Sequence, residues 1–314
     1  MRAPIILMVL AALLVAACEK APEPREPPPN PVTVYAGYLD ADPLWQSFEK
    51  FTQQSGIRVT VKAGDPRLIV DAVIANNGAP PADVLLTPDV AGIWRAAEEG
   101  GLRAIHSDVM QDNVATRLRD PDRLWTAVGY TKAAIVFDRR AVDLSGATGY
   151  EVLGDESLRG QLCLSTSSLS INRALIAMMI SKFDIRPTER IVRSWIRNLA
   201  KPVFDSEEQL LAAINDGQCG AGIASTDALA DYGLPGRGES LETNELPDAF
   251  INIVGIGIAR HARNPDGAKL LIEWLVSENA LSDEHLDGIS EKNVGMAGWN
   301  DEDAAKLAER TSYP

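Results

Sequence analysis

The chain has 314 residues and carries 44 acidic against 30 basic side chains, a formal net charge of −14. A surface this acidic repels phosphate backbones, which excludes nucleic acid as a partner. With 46% apolar residues, the stretch from residue 32 onward is long enough for one large domain or two smaller lobes with real cores.

From the N-terminus, Arg2 supplies a positive start, Ile5 to Val15 form a short apolar run, and Val15-Ala16-Ala17-Cys18 reads as a lipobox. About a dozen apolar residues are too few to span a bilayer, which takes about 20. The expectation is a signal peptide over 1–17 and acylation of Cys18, anchored by about 0.8 kcal/mol per buried CH₂. An ordinary secretory signal followed by a cysteine is the alternative. Residues 18–31 then form a tether, because Glu19 to Pro31 (EKAPEPREPPPNP) are proline-rich and charged and favour extended polyproline conformations.

Alternating strand and helix signals follow. Val32 to Gly37 is a strand, Pro43 to Gln54 an amphipathic helix, Ile57 to Gly64 a strand, Arg67 to Asn76 a helix and Ala82 to Thr87 a strand. That order predicts a parallel sheet with helices packed on it. Trp45 and Trp94 fall on amphipathic helices, where core packing is the usual role. Arg123 to Asp138 ends in the buried-strand pattern AAIVF.

The pattern then restarts. Gln161 to Ser165 is a strand, and helices follow at Asn172 to Phe183, Ile191 to Leu199 and Glu207 to Ile214, the last capped by Asp205 or Ser206. Cys219 to Ser225 returns as a strand, Gly233, Gly236 and Gly238 mark a linker, and Phe250 to Ala259 is a long central strand in which Gly255 and Gly257 permit tight packing. Two α/β blocks joined by crossing strands predict lobe 1 over 32–136 plus 250–314 and lobe 2 over 137–249, with a ligand cleft between them. With Cys18 acylated, Cys163 and Cys219 remain, each at the start of a strand-like run. They either pair as a disulfide or stay as buried thiols.

The strings VTVYAG, SGIRVTVKAGDPRLI, PPADVLLTPD, GYTKAAIVFD and VGIGIARHARNPDGAKLLIEWLVS, in this order and spacing, resemble the periplasmic solute-binding proteins of ABC importers, above all the ferric-ion-binding branch. The resemblance covers nearly the whole body. It implies an α/β, two-lobed periplasmic-binding-protein fold with parallel-rich sheets, hinge strands and an interlobe cleft, and a last helix starting near Ala268 with Trp274 and Leu275 buried. It also implies a small-molecule solute and an ABC permease with its ATPase as partners, a monomer, and a periplasmic location. The branch's iron ligands, a His, a Glu and a Tyr-Tyr pair, match Leu39, Pro88 and Asp227-Ala228 here, so no metal site is assigned. Tyr38, Asp40, Asp89 and Tyr232 remain as oxygen donors for an altered one.

The loop Leu164 to Leu175 is dense in hydroxyls. Ser167, Ser168 and Ser170 precede a helix, where backbone N–H groups and the helix dipole favour an anion. Simple N-capping by one serine is the alternative. The same loop in the resembled family holds the anion that accompanies the metal. Ligands in open α/β sheets bind at the carboxyl ends of strands, which adds Tyr38, Asp40, Thr87, Asp89, Tyr130, Ser225, Thr226 and Asp227. Asp89 and Asp227 would face an amine on the ligand. His106, His261 and His285 stand apart from any nucleophile motif, so neither an enzyme nor a cofactor is expected. The expected function is therefore a lipid-anchored receptor for an anionic or zwitterionic solute. A ferric-ion binder with a non-standard site, or an orphan sensing or docking lipoprotein, is the alternative.

Overall fold

The computed structural model describes residues 30–37, 42–78, 80–233, 241–244, 246, 249–279, 281 and 300–314. Cys18, the signal peptide, nearly all of the tether, Tyr38, Leu39 and Asp40 lie outside them.

Strand β1 (Val32–Gly37) is wholly buried and pairs in parallel with β2 (Val59–Gly64) and β3 (Val84–Thr87). The intervening helices α1 (Asp42–Ser55) and α2 (Pro66–Ile74), and α3 (Val90–Glu98) after β3, cover the sheet, as right-handed βαβ crossovers require. A two-residue β4 (Leu102–Arg103) and α4 (Asp108–Asn113) lead into β5 (Trp125–Asp138), a strand of 14 residues. The strand signal at AAIVF is only its second half. Both ends of β5 are buried, while Gly129 to Lys132 in the middle are half-exposed, which marks the passage from one lobe to the other. A bulge between Ala127 and Gly129 bends it there.

Lobe 2 holds β6 (Leu162–Cys163), α5 (Ser170–Phe183), α6 (Ile185–Asn198), α7 (Glu207–Asn215), β7 (Ala221–Ser225), α8 (Thr226–Tyr232) and β8 (Leu241–Asn244). The strand expected over Gln161 to Ser165 shrinks to two residues. Ser165 turns away to bridge Phe204, and the Thr166 N–H donates to the Phe204 carbonyl at 2.8 Å. Ser206, not Asp205, caps α7, accepting from the Gln209 N–H at 3.2 Å. Cys163 and Cys219 are bonded as a disulfide, fastening the entrance of β7 to its parallel neighbour β6.

Strand β9 (Ile251–Ala259) returns antiparallel between β3 and β5, and α9 (Pro265–Glu278) packs on lobe 1. The path is one curled mixed sheet, β2-β1-β3-β9-β5-β7-β6, with β4 on β9 and β8 on β5. Pairing is parallel within each crossover unit and antiparallel wherever β5 or β9 meets its neighbours. Helix α9 starts at Pro265, three residues before the expected point, because Asn264 caps it by accepting from the Gly267 N–H at 3.0 Å. Leu275 is fully buried, but Trp274 is only half-buried: its ring stands edge-on to Phe51 and its indole N–H donates to Gln54 Oε1 at 2.8 Å.

The sequence reading assigns all of 250–314 to lobe 1. Helix α10 (Asp301–Thr311) instead packs on α5 and α6 of lobe 2, burying Ala304, Leu307 and Ala308. The apolar surface of α5 explains this. Residues 174–180 are buried all around the helix, so it needs a cover on every side.

Candidate functional site

A cavity of about 500 Å³ lies between the lobes, within the range of small-molecule sites. Lobe 1 lines it with the starts of α2 and α3, through Asp65, Arg67, Pro88 and Asp89, and with Arg95 from the last turn of α3. Lobe 2 lines it with the start of α5, through Ser168, Ser170 and Arg173, and α10 adds Asp301.

The three helix starts differ. Asp65 Oδ1 accepts from the N–H groups of Arg67 (2.9 Å) and Leu68 (3.2 Å), closing the end of α2. Asp89 Oδ1 accepts from the Gly92 N–H at 2.7 Å, closing α3. Among the described residues no side chain caps α5, whose N-cap position is Leu169. The loop before it is held from behind instead. Asn172 Nδ2 donates to Ser165 O, Ser165 Oγ and Thr166 O at 2.8–3.1 Å.

The charges in the cleft see one another across the lobes. Burial pushes the Asp89 carboxyl above its ordinary range against the Gly92 hydrogen bond, with Asp301 of lobe 2 raising it further and Arg173 lowering it. Arg173 Nη1 lies 3.6 Å from Asp301 Oδ2, and Arg95 is paired with Asp71 at 2.5 Å. Asn252, on β9 and 2% exposed, donates from Nδ2 to Pro88 O at 3.0 Å and reaches Ser170 Oγ at 3.5 Å, so it touches the ligand-facing loops of both lobes. Its Oδ1 is buried without a partner among the described residues.

Of the residues singled out from the sequence, Asp89, Ser168 and Ser170 come together here. Others do not. Thr87 is buried and its hydroxyl donates to Asp89 O at 2.7 Å, shaping the turn rather than facing the cleft. Ser167 is buried on the far side of its loop, where its Oγ donates to Tyr313 O at 3.0 Å. Ser225 caps α8, accepting from the Ala228 N–H at 3.1 Å, and its Oγ bonds Glu207 Oε2 at 3.1 Å. Thr226 Oγ1 accepts from the Lys132 N–H at 3.1 Å and borders a separate cavity of about 340 Å³ beside α8 and β8, with Tyr232 on its wall. Asp227 hydrogen-bonds Thr131 at the hinge, and burial raises its pKa. Tyr130 is half-buried at the crossing of the lobes, packed against the core.

Asp65, Arg67, Arg95, Arg173 and Asp301 went unremarked in the sequence. Asp65-Pro66-Arg67 follows β2 directly, so the strand-end rule that selected Tyr38 and Thr87 also covers it. Arg173 lies one helical turn beyond Ser170. Arg95 and Asp301, on helices far from any motif, give no such signal.

A two-lobed α/β body with a charged cleft between lobes joined by crossing strands is the architecture of a small-molecule binding protein. The chain belongs to the bacterial extracellular solute-binding proteins, whose family model matches residues 32–282. This family supplies the substrate-binding components of ABC importers, which work with a permease and an ATPase, and its members are not enzymes. Iron uptake protein A1 of Synechocystis is 27% identical over 87% of this chain and 79% of its own length. A putative 2-aminoethylphosphonate-binding periplasmic protein of Salmonella typhimurium is 29% identical over 92% of this chain and 91% of its own. Among solved structures, the apo ferric ion-binding protein A of Pasteurella haemolytica superposes with a TM-score of 0.81 at 24% identity, over 90% of this chain and 98% of the other.

Proposed function

We propose that this chain is a lipid-anchored receptor that captures a small anionic or zwitterionic solute between its lobes and presents it to an ABC permease and its ATPase. The observation that carries this reading is the uncapped start of α5, flanked by Ser168, Ser170 and Arg173, opposite two helix starts already closed by Asp65 and Asp89. Free N–H groups at the positive end of a helix attract an oxyanion, and a guanidinium adds charge-assisted donors. The aspartate side suits an ammonium group, and the name of the Salmonella relative supports that class. A solute touching both lobes favours the closed state. The lipobox at Cys18 supports the anchor.

Iron as cargo is the second reading, favoured by the names of the Synechocystis and Pasteurella proteins. Against it stand Pro88 and Asp227-Ala228 at positions where the resemblance expects ligands. Among the described residues, moreover, no group of three His, Cys, Asp or Glu side chains is placed to hold a metal ion. A receptor that senses without transport would share the same cleft, and adjacent permease and ATPase genes separate it from an importer component.

A thermal-shift panel of inorganic phosphate, 2-aminoethylphosphonate, amino acids, polyamines and ferric ion tests the reading. A true ligand at 100 times its Kd adds about 2.7 kcal/mol of stability. Ser168→Ala and Arg173→Ala should abolish most of that gain. A shift with ferric ion alone would establish the iron reading instead.

A further inference from the structure

We infer that the segment 300–314 forms a wall of the ligand site and that Tyr313 is a positioning residue for the serine loop. This rests on the proposed anion site at α5. The segment reaches the cleft at its start and the back of the cleft's serine loop at its end. Its start is fixed to lobe 2 by Asn300, whose Nδ2 donates to Ser181 Oγ at 2.7 Å, and the next residue, Asp301, enters the cleft beside Arg173. Its end lies under the loop. The Tyr313 hydroxyl donates to Ser165 O at 2.8 Å, the Ser167 hydroxyl to Tyr313 O at 3.0 Å and the Ser167 N–H to Pro314 O at 2.7 Å.

These three bonds decide which way the serines face. Ser167 is buried with both of its donors taken by the tail, and the two serines that follow it, Ser168 and Ser170, are the ones that line the cavity. Asn172 and Phe204 hold the same loop, but at Ser165 and Thr166. Among the described residues the tail alone holds Ser167. A buried donor must find an acceptor, so without the tail the Ser167 hydroxyl and N–H would seek partners by rotating the loop. The anion site would be lost while its own residues stayed unchanged.

Ser165 O also accepts from Asn172, so Tyr313→Phe removes one bond without orphaning a carbonyl. The phenyl ring still fills the buried site. This variant therefore separates loop position from folding. The experiment compares Kd for inorganic phosphate, melting temperature and hydrogen exchange of the Thr166 to Ser170 amides in the full-length protein. The variants are Tyr313→Phe, Ser168→Ala and the double substitution. Tyr313→Phe leaves both Ser167 bonds, which go to main-chain oxygens, and unfastens from Ser165 the tail that carries those oxygens; it is expected to weaken phosphate binding roughly fivefold, the worth of one hydrogen bond that holds a site in shape. It should lower the melting temperature by only about 2–4 °C, as the loss of one hydrogen bond does, and speed exchange in the loop.

If Tyr313 acts through the serine loop, its effect should shrink in the Ser168→Ala background, a coupling that an independent structural defect would not show. Unchanged affinity in Tyr313→Phe, with Ser168→Ala still weakening binding, overturns the role of Tyr313 alone. Strict additivity of the two substitutions does the same. A wild-type protein that ignores phosphate, or a Ser168→Ala variant that binds it as well as the wild type, overturns the anion site itself and this inference with it.

Discussion

Asp89 has two roles whose electrostatics conflict. As the cap of α3 it is best ionised, but burial in the cleft raises its pKa above the ordinary 3.8. The folded chain therefore holds that proton to a higher pH than the unfolded chain does. This contribution to stability is full below the ordinary value and falls as pH rises through the window up to the folded value. Asp89→Asn keeps the cap, since an amide oxygen accepts from the Gly92 N–H equally well, and removes the titration. Melting curves of the unliganded protein from about pH 4 upward should lose part of their downward slope in the variant. At this scale the sequence was only half legible. It marked a run of hydroxyls, but which of them face the cleft depends on a tail 146 residues beyond Ser167. Nothing local to the loop announces that.

Elements were more legible, because hydrophobic runs and their stops survive any tertiary context. β1, β3, α7 and β9 fall within two residues of their expected bounds. The departures have physical causes: β6 is cut short by the bridge to Phe204, and the first part of β5, Trp125 to Val128, is buried at every residue and so shows no period-two alternation. Two predictions belong here. The disulfide spans 56 residues, and removing such a cross-link costs about 2–4 kcal/mol. Urea unfolding of a Cys163→Ala, Cys219→Ala chain should show that loss, with the wild type following it under reductant. Gly255 sits against α3, where an added Cβ would stand 2.5 Å from Ile93 Cγ2. Gly255→Ala should destabilise by about 1–3 kcal/mol through overpacking. Ile93→Ala, which removes the clashing Cγ2, should destabilise less in the Gly255→Ala background than in the wild type, measured by the same unfolding curves.

On the scale of the molecule, the proposed capture closes two lobes that strands β5 and β9 join. Small-angle scattering should register a smaller radius of gyration once a member of the solute panel binds, and Ser168→Ala should block the contraction at the same concentration. The two lobes and their crossing strands could be read from the repeated strand-helix pattern. The third passage, from α9 in lobe 1 to α10 in lobe 2, could not, because α10 lacks any motif and is recruited by the apolar surface of α5. That passage also sets an order of events in biosynthesis. A chain that emerges N-terminus first exposes α5 without its cover and a serine loop without its latch until residues 300–314 arrive. On the proposed latch, the solute site takes its binding shape only after residues 300–314 have joined a loop made well before them.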